Sequence, residues 1–162
     1  PTSRGHVPVT GAGTSAALAQ RMAHLLACCG VPALYISAAD CLHGGAGAIT
    51  GNDVAYIISR GGQSAEVNQF ADLARQRGAA IIVQTEDASS PLACAADHVY
   101  AMKTIGDVDP HGVIAAGSSL VGGAAGDALC VVLLQMKGYT RDDFLRTHPG
   151  GAVGKLAGTE KG

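Results

Sequence analysis

The sequence has no tryptophan, two phenylalanines and four tyrosines, so aromatic residues make up only 4% of its 162 positions. Positive charge is not in surplus either: the formal net charge is −2 and the isoelectric point lies near 6.3. Nothing is therefore offered for stacking bases or following a phosphate backbone, and nucleic acid is not an expected partner. Cys-x-x-Cys spacing is absent. The five cysteines (Cys28, Cys29, Cys41, Cys94, Cys130) are odd in number and lie mostly in apolar segments, where a thiol behaves as a small hydrophobe, which points to a reducing cytoplasm. Pro1 to Arg4 lead into a short polar start, so no signal peptide is expected, and the lack of an initiating Met points to a processed or trimmed start. Repeats, low-complexity tracts and linkers are also missing. At 48% hydrophobic, the chain is expected to form one domain, residues 1–162, with a proper core.

Long apolar runs are scarce, with one exception. Val113 to Leu134 carries Asp127 as its only charge and is nearly long enough to suggest a membrane span. Four glycines, two serines and the Asp argue instead for a buried central helix whose small residues permit close packing, including against another subunit. No membrane partner is expected.

What the sequence does contain centres on Ile57-Ile58-Ser59-Arg60-Gly61-Gly62-Gln63-Ser64-Ala65-Glu66. An apolar run from Val54 stops at a serine and two glycines, and a helical pattern with Val67, Phe70 and Leu73 on one face follows. A strand, a tight loop and a helix start are predicted. Glycines let backbone approach a ligand, Ser59 and Ser64 carry hydroxyls, and the free N–H groups of a first helical turn favour an anion, so phosphate is the natural ligand. Glu66 would then face whatever the phosphate is attached to. The same residues also read as a plain turn with Ser64 as N-cap and a dipole-favoured glutamate.

In chain order, His6 to Thr10 reads as a strand, with Pro8 either confining its bonds to one side or delaying its start, and Ala16 to Cys29 reads as a helix ended at Gly30. Further strands are predicted at Ala33 to Ile36, Asp53 to Ser59, Ala80 to Gln84 and Asp97 to Ala101, the fourth covered on both faces. A short helical turn near Asp40 to Gly45, a helix from Ala65 to Gln76, a short one begun by Ser89-Ser90-Pro91, and a final N-capped helix from Thr140 ending at His148-Pro149 complete the pattern. Strands alternating with helices imply an α/β fold with a doubly wound parallel sheet.

Gly11-Ala12-Gly13-Thr14-Ser15-Ala16 satisfies the G-x-G-x-x-(G/A) dinucleotide fingerprint, making a nicotinamide-binding domain a rival reading. The acidic ribose clamp expected about 20 positions on is missing, since Tyr35-Ile36-Ser37 holds none and Asp40 comes late. This loop, through Gly13, Thr14 and Ser15, can instead hold the sugar portion of a phosphosugar whose phosphate lies on Ser59, Gly61, Gly62, Gln63 and Ser64.

Thr10 to Ser15, His43-Gly44, Ser59 to Glu66, Gly126-Asp127-Ala128-Leu129 and His148-Pro149-Gly150-Gly151-Ala152-Val153-Gly154 occur in the order and spacing of a sugar isomerase (SIS) domain. From about Val7 to Lys155 the chain most resembles the arabinose-5-phosphate isomerases within that superfamily. The resemblance implies a five-stranded parallel sheet between helices, a flavodoxin-like three-layer sandwich. It also implies an oligomer, often a tetramer, with shared active sites, and cofactor-free interconversion of an aldose and a ketose phosphate. Carried over residue by residue, it implies that Ser59, Gly62 and Ser64 grip the phosphate, that Glu66 is an acid/base, and that His43 and His148 are site histidines. Thr14 stands where the family usually has Lys, Gly61 where it has Ser, and Asp107 where it has Glu. The helices that usually precede the domain and the paired CBS modules that often follow it are absent.

Isomerisation needs a base for the proton beside the carbonyl, an acid for the oxygen and a group that opens the sugar ring. Glu66 is the expected base and His148 the acid/base or ring opener, with His43 and Asp107 in support. His148 also reads as a dipole-favoured histidine at a helix end, and His43 as an idle loop residue. His24 is expected on a helix surface, and His6, His98 and His111 indicate nothing specific. Three histidines and Asp107 form no recognisable metal spacing, so no metal is expected. The expected function is a phosphosugar isomerase of the arabinose 5-phosphate/ribulose 5-phosphate type, using an enediol and a carboxylate base. The alternative is a phosphosugar-binding module weakened in turnover, which the Thr14 substitution would favour.

Overall fold

The computed structural model describes residues 4–156; the ends of the predicted single domain and most of the residues used to judge a leader (Pro1 to Ser3) lie outside them. Five parallel strands form one sheet: β1 (Val7–Gly11), β2 (Ala33–Tyr35), β3 (Val54–Ile58), β4 (Ala80–Thr85) and β5 (His98–Ala101), in the order β2-β1-β3-β4-β5. The α/β, five-stranded parallel architecture is the one expected from the sequence. Pro8 pairs with Leu34 in the β2 ladder, whereas the β3 ladder begins at Val9 opposite Tyr56. The proline thus confines pairing to one side at its own position.

Helices cover the two faces unequally. On one face α2 (Ala38–Cys41), α3 (Ala65–Gln76) and α4 (Pro91–Cys94) close a core around Ile57, Phe70, Ile81 and Leu92. Val67, Phe70, Ala71 and Ala74 make the buried stripe of α3 at i, i+3, i+4, i+7, and burying Phe70 alone stabilises by about 2–3 kcal/mol. On the other face α1 (Thr14–Cys28) packs Ala19, Met22, Ala23 and Leu26 against Val9, Tyr56 and Ile58. Gly30 ends α1 in the left-handed region, where its N–H and that of Val31 reach back to Ala27 and Leu26. The face is left partly open beside β3 and β4, where Val54, Tyr56 and Ile82 line an apolar groove with Leu129, Leu133 and Met136 of the helix that follows. Ile82 is therefore only half-buried, and β4 is not covered on both faces along its whole length.

The long apolar run becomes α5 (Gly117–Lys137), but it is not the buried central helix expected. Only Ser118, Gly122, Gly126 and Cys130, spaced by four, are buried. They are small because the helix lies close: a Cβ on Gly126 would stand 2.9 Å from Met22 Sδ. Gln84, fully buried, receives the Tyr56 hydroxyl (2.8 Å) and donates to Gly122 O (2.8 Å), tying β3, β4 and α5 together. The opposite side is exposed, Leu120 at 76%, Val131 at 55% and Val132 at 49%, so composition reported the helix's apolarity and not what covers it. Thr140 caps α6 (Arg141–Thr147) in a reciprocal box with Asp143, and a further helix, α7 (Gly151–Leu156), follows where α6 was expected to be the last.

At the amino-terminal rim of the sheet, side-chain carboxylates accept strand N–H groups. Asp53 takes His6 N and Thr50 N, both at 2.7 Å, and the Thr50 hydroxyl at 3.0 Å; Asp97 takes Ile81 N at 2.7 Å. Burial pushes the Asp53 carboxyl up, and the Thr50 and His6 donors together pull it down further, to a net value below the ordinary one. A depressed carboxyl stabilises the fold above its unfolded pKa, and that contribution is lost as pH falls through the folded value. Asp53→Ala is expected to cost about 2–3 kcal/mol in urea denaturation at neutral pH, and to flatten the loss of stability below about pH 4 relative to the parent.

Candidate active site

In the order β2-β1-β3, β1 feeds α1 on one face while β3 feeds α3 on the other, leaving a crevice outside the carboxyl ends of β1 and β3. Both loops singled out in the sequence flank that crevice. Gly11 to Thr14 turns β1 into α1, and Ser59 to Ser64 turns β3 into α3.

The second loop is held by bonds within itself and to its neighbours. Ser59 is buried, and its Oγ accepts from Gly62 N (3.1 Å). Asn68, one turn into α3, donates its amide to Gly62 O (3.2 Å) and Ser64 O (2.9 Å). Arg60 O accepts from Glu86 N (2.9 Å) and from the Thr85 hydroxyl (2.9 Å), fastening the loop to the end of β4. Gly62 has φ +61°, and a Cβ there would come within 2.1 Å of Ser90 Oγ, so the position admits only glycine. Gly61 has open space around it, and nothing in the structure explains its being glycine.

These bonds leave particular groups uncommitted. Ser64 begins α3 without a side-chain cap bond, so its hydroxyl is not the N-cap of the plain-turn reading. Glu66 lies in the first turn of α3, half-buried, with no hydrogen bond or ion pair to any described residue. Thr14 and Ser15, at the start of α1, line a cleft with Arg60, Ser118 and Ser119. His43 sits in the connection from β2 to β3, which packs through Ala38, Cys41 and Ala46 on the same side of the sheet as α3; its ring is exposed. Asp107 is exposed in the loop between β5 and α5.

Two acidic residues that sequence reading passed over give the crevice its framework. Asp109 is 3% exposed; its Oδ1 accepts from Ala116 N and Ser118 N (both 2.9 Å), and its Oδ2 from Ser118 Oγ and Arg60 Nη1 (both 2.6 Å). The Ser118 hydroxyl, then backbone donors and Arg60, hold its carboxyl below the ordinary range. Glu86 Oε2 meets Arg60 Nε (3.4 Å) and the Thr104 hydroxyl (3.2 Å), while its Oε1 is buried with no partner. The only sequence signal was for Glu86, a carboxylate directly after a strand; Asp109 lies well into the connection from β5 to α5.

His148 is not brought to the crevice of its own chain. Its ring stacks on Phe144 (centroids 3.7 Å apart), its Nδ1 lies 3.0 Å from Phe144 O, and its Nε2 lies 3.6 Å from Cys28 Sγ. Cys28 is the last residue of α1 and Thr14 the first, about 21 Å apart along a helix rising about 1.5 Å per residue. Among the described residues no group of three or more His, Cys, Asp or Glu is placed to hold a metal ion.

Fold and crevice define a doubly wound α/β domain with an open crevice at its topological switch. The chain belongs to the SIS domain family, which it matches over residues 2–131. It is 34% identical to arabinose 5-phosphate isomerase KdsD of Pseudomonas aeruginosa over 152 residues, covering 94% of this chain and 47% of that protein. It is 33% identical to KdsD of Escherichia coli K12, covering 94% and 46%. The chain thus spans about half the length of these curated relatives. Among solved structures, a Listeria monocytogenes protein superposes with TM-score 0.88 at 30% identity (92% of this chain, 78% of that one). An E. coli CFT073 protein in complex with arabinose 5-phosphate superposes with TM-score 0.87 at 29% identity (91% and 79%).

Gly62→Ala should strain the loop and drive a methyl group into Ser90. A loss of about 2 kcal/mol or more of stability is expected in chemical denaturation.

Proposed function

We propose that this chain is a phosphosugar aldose–ketose isomerase of the arabinose 5-phosphate/ribulose 5-phosphate type. The observation that carries the reading is the juxtaposition, at one switch-point crevice, of a glycine-pinned serine loop and Glu66, two residues beyond Ser64, which has no partner among the described residues. The likeness to KdsD and to the arabinose 5-phosphate complex supports the substrate class.

In this reading the substrate phosphate rests on the loop from Ser59 to Ser64, with Gly61, Gly62 and Gln63 supplying backbone contacts. The sugar lies toward Gly13, Thr14 and Ser15. Glu66 removes the proton from C2 of the aldose and returns it to C1, passing through an enediol; among the described residues the carboxylate has no partner to displace first. His43 and Asp107, both exposed in loops, serve the oxygen proton transfers. No cofactor enters the scheme, because proton transfer alone redistributes the oxidation level between C1 and C2.

His148 acts in a neighbour's site, since its own crevice lies at the far end of α1. The exposed apolar side of α5 supplies the subunit contact, in a homotetramer with shared sites. α5 is long and apolar enough to cross a membrane by length and composition, but Asp127 and Arg21 pair midway along it, which suits an aqueous assembly better than a bilayer. Five free cysteines support a cytoplasmic setting.

Glu66→Gln is expected to lower arabinose 5-phosphate turnover and C2 deuterium uptake in heavy water at least about a hundredfold while leaving calorimetric binding intact. Full exchange in that variant would remove Glu66 as base, and absence of exchange in the parent with retained binding would favour a binding module. Mixing Glu66→Gln and His148→Asn chains should restore activity that neither has alone. Val132→Lys should lower the mass seen by light scattering.

A further inference from the structure

Arg60 was passed over in the sequence, yet it is the one formal cation among the residues that line the cleft with Thr14, Ser15, Ser118 and Ser119. The surroundings are acidic: Glu86, the residue after β4, and Asp109, in the connection from β5 to α5, both reach Arg60, while Glu66 lies in the first turn of α3 and Asp107 in the same connection as Asp109. An anion entering here needs a positive partner as well as backbone N–H groups.

The Arg60 side chain is fixed for such a task. Nη1 is bonded to buried Asp109 at 2.6 Å and Nε to Glu86 at 3.4 Å, while the chain's own carbonyl at this residue is fastened to β4. A guanidinium has five donors. Nη2 has no partner among the described residues, and the side chain remains 43% exposed. The two carboxylates play different parts. Asp109, short and buried, is the permanent anchor. Glu86, at 3.4 Å and with its second oxygen unpartnered, is a loose counter-ion that an incoming anion has to outcompete.

We propose that Arg60 is the anion-gripping residue of the crevice, presenting its Nη2 edge to the phosphate of the substrate, and that Glu86 is its competing counter-ion. The assignment rests on the phosphosugar reading above, and deepens it by naming the charge that selects a phosphorylated over a neutral sugar. It makes Arg60 a specificity residue as well as a brace: a planar guanidinium held at Nε and Nη1 offers Nη2 in a fixed orientation.

The test is binding of inorganic phosphate and of arabinose 5-phosphate, by phosphorus NMR and calorimetry, to the parent chain and to Arg60→Gln, Arg60→Lys and Glu86→Gln. Circular dichroism would check that each variant is folded. Arg60→Gln should weaken both ligands at least about tenfold, Arg60→Lys should recover part of that loss, and Glu86→Gln should tighten both a few-fold. Folded Arg60→Gln binding phosphate within twofold of the parent would overturn the proposal, as would a parent that binds neither ligand. Should Arg60→Gln not fold, Arg60→Lys and Glu86→Gln decide: binding unchanged in both sinks the proposal. The isomerase reading fails separately. Arg60-dependent binding without C2 exchange leaves this inference standing, whereas turnover with a KM unmoved by Arg60→Gln leaves only the isomerase.

Discussion

Parallel pairing of β1 with β3 is the constraint on which the rest depends. Two adjacent strands whose following helices leave on opposite faces cannot close the space between their carboxyl ends, so a crevice is built in by topology before any side chain is chosen. Chain-specific chemistry then fills it: a loop that can be made only with glycine at position 62, a helix start that leaves Ser64 and Glu66 uncommitted, and an arginine anchored from beneath by Asp109. The hydrogen bonds from Asn68, Thr85 and Glu86 matter because they hold the loop's shape through the chain's own groups. A site assembled in advance loses less entropy when it is occupied.

The fold was legible where local signals were strong. The bounds of α3 follow from its apolar spacing and from Arg77-Gly78 beyond it, and the strand at Ala80 follows from its unbroken apolar run. The effect of Pro8 was also readable, because a missing donor acts at its own position whatever the surroundings. α5 was misread for a general reason. Apolar content says that a surface must be covered, but nothing local says whether the cover is the same chain. Spacing small residues by four does give the narrow stripe that was found, since such a ridge can bury only itself.

The candidate site was half legible on the same principle. Ser59 to Glu66 is continuous in sequence, so its loop and helix start were visible together. Arg60, Glu86 and Asp109 come from three connections that meet only after the sheet has formed, and no spacing announces them. His148 shows the reverse case: its motif was plain, but its distance from the crevice depends on α6 packing against the far end of α1, which sequence order does not encode.

The carboxylates divide between the two rims of the sheet. Asp53 and Asp97 cap strand beginnings at one rim, while Glu66, Glu86, Asp107 and Asp109 gather at the other. Five to six residues of β3 and β4 separate the rims, a span of roughly 17–20 Å that exceeds the Debye length at physiological salt. Between the exposed carboxylates of the two rims, such as Asp97 and Asp107, that distance leaves little coupling. Tolerance to acid and the charge around the crevice rest on different residues, and a protein engineer could retune either without disturbing its counterpart.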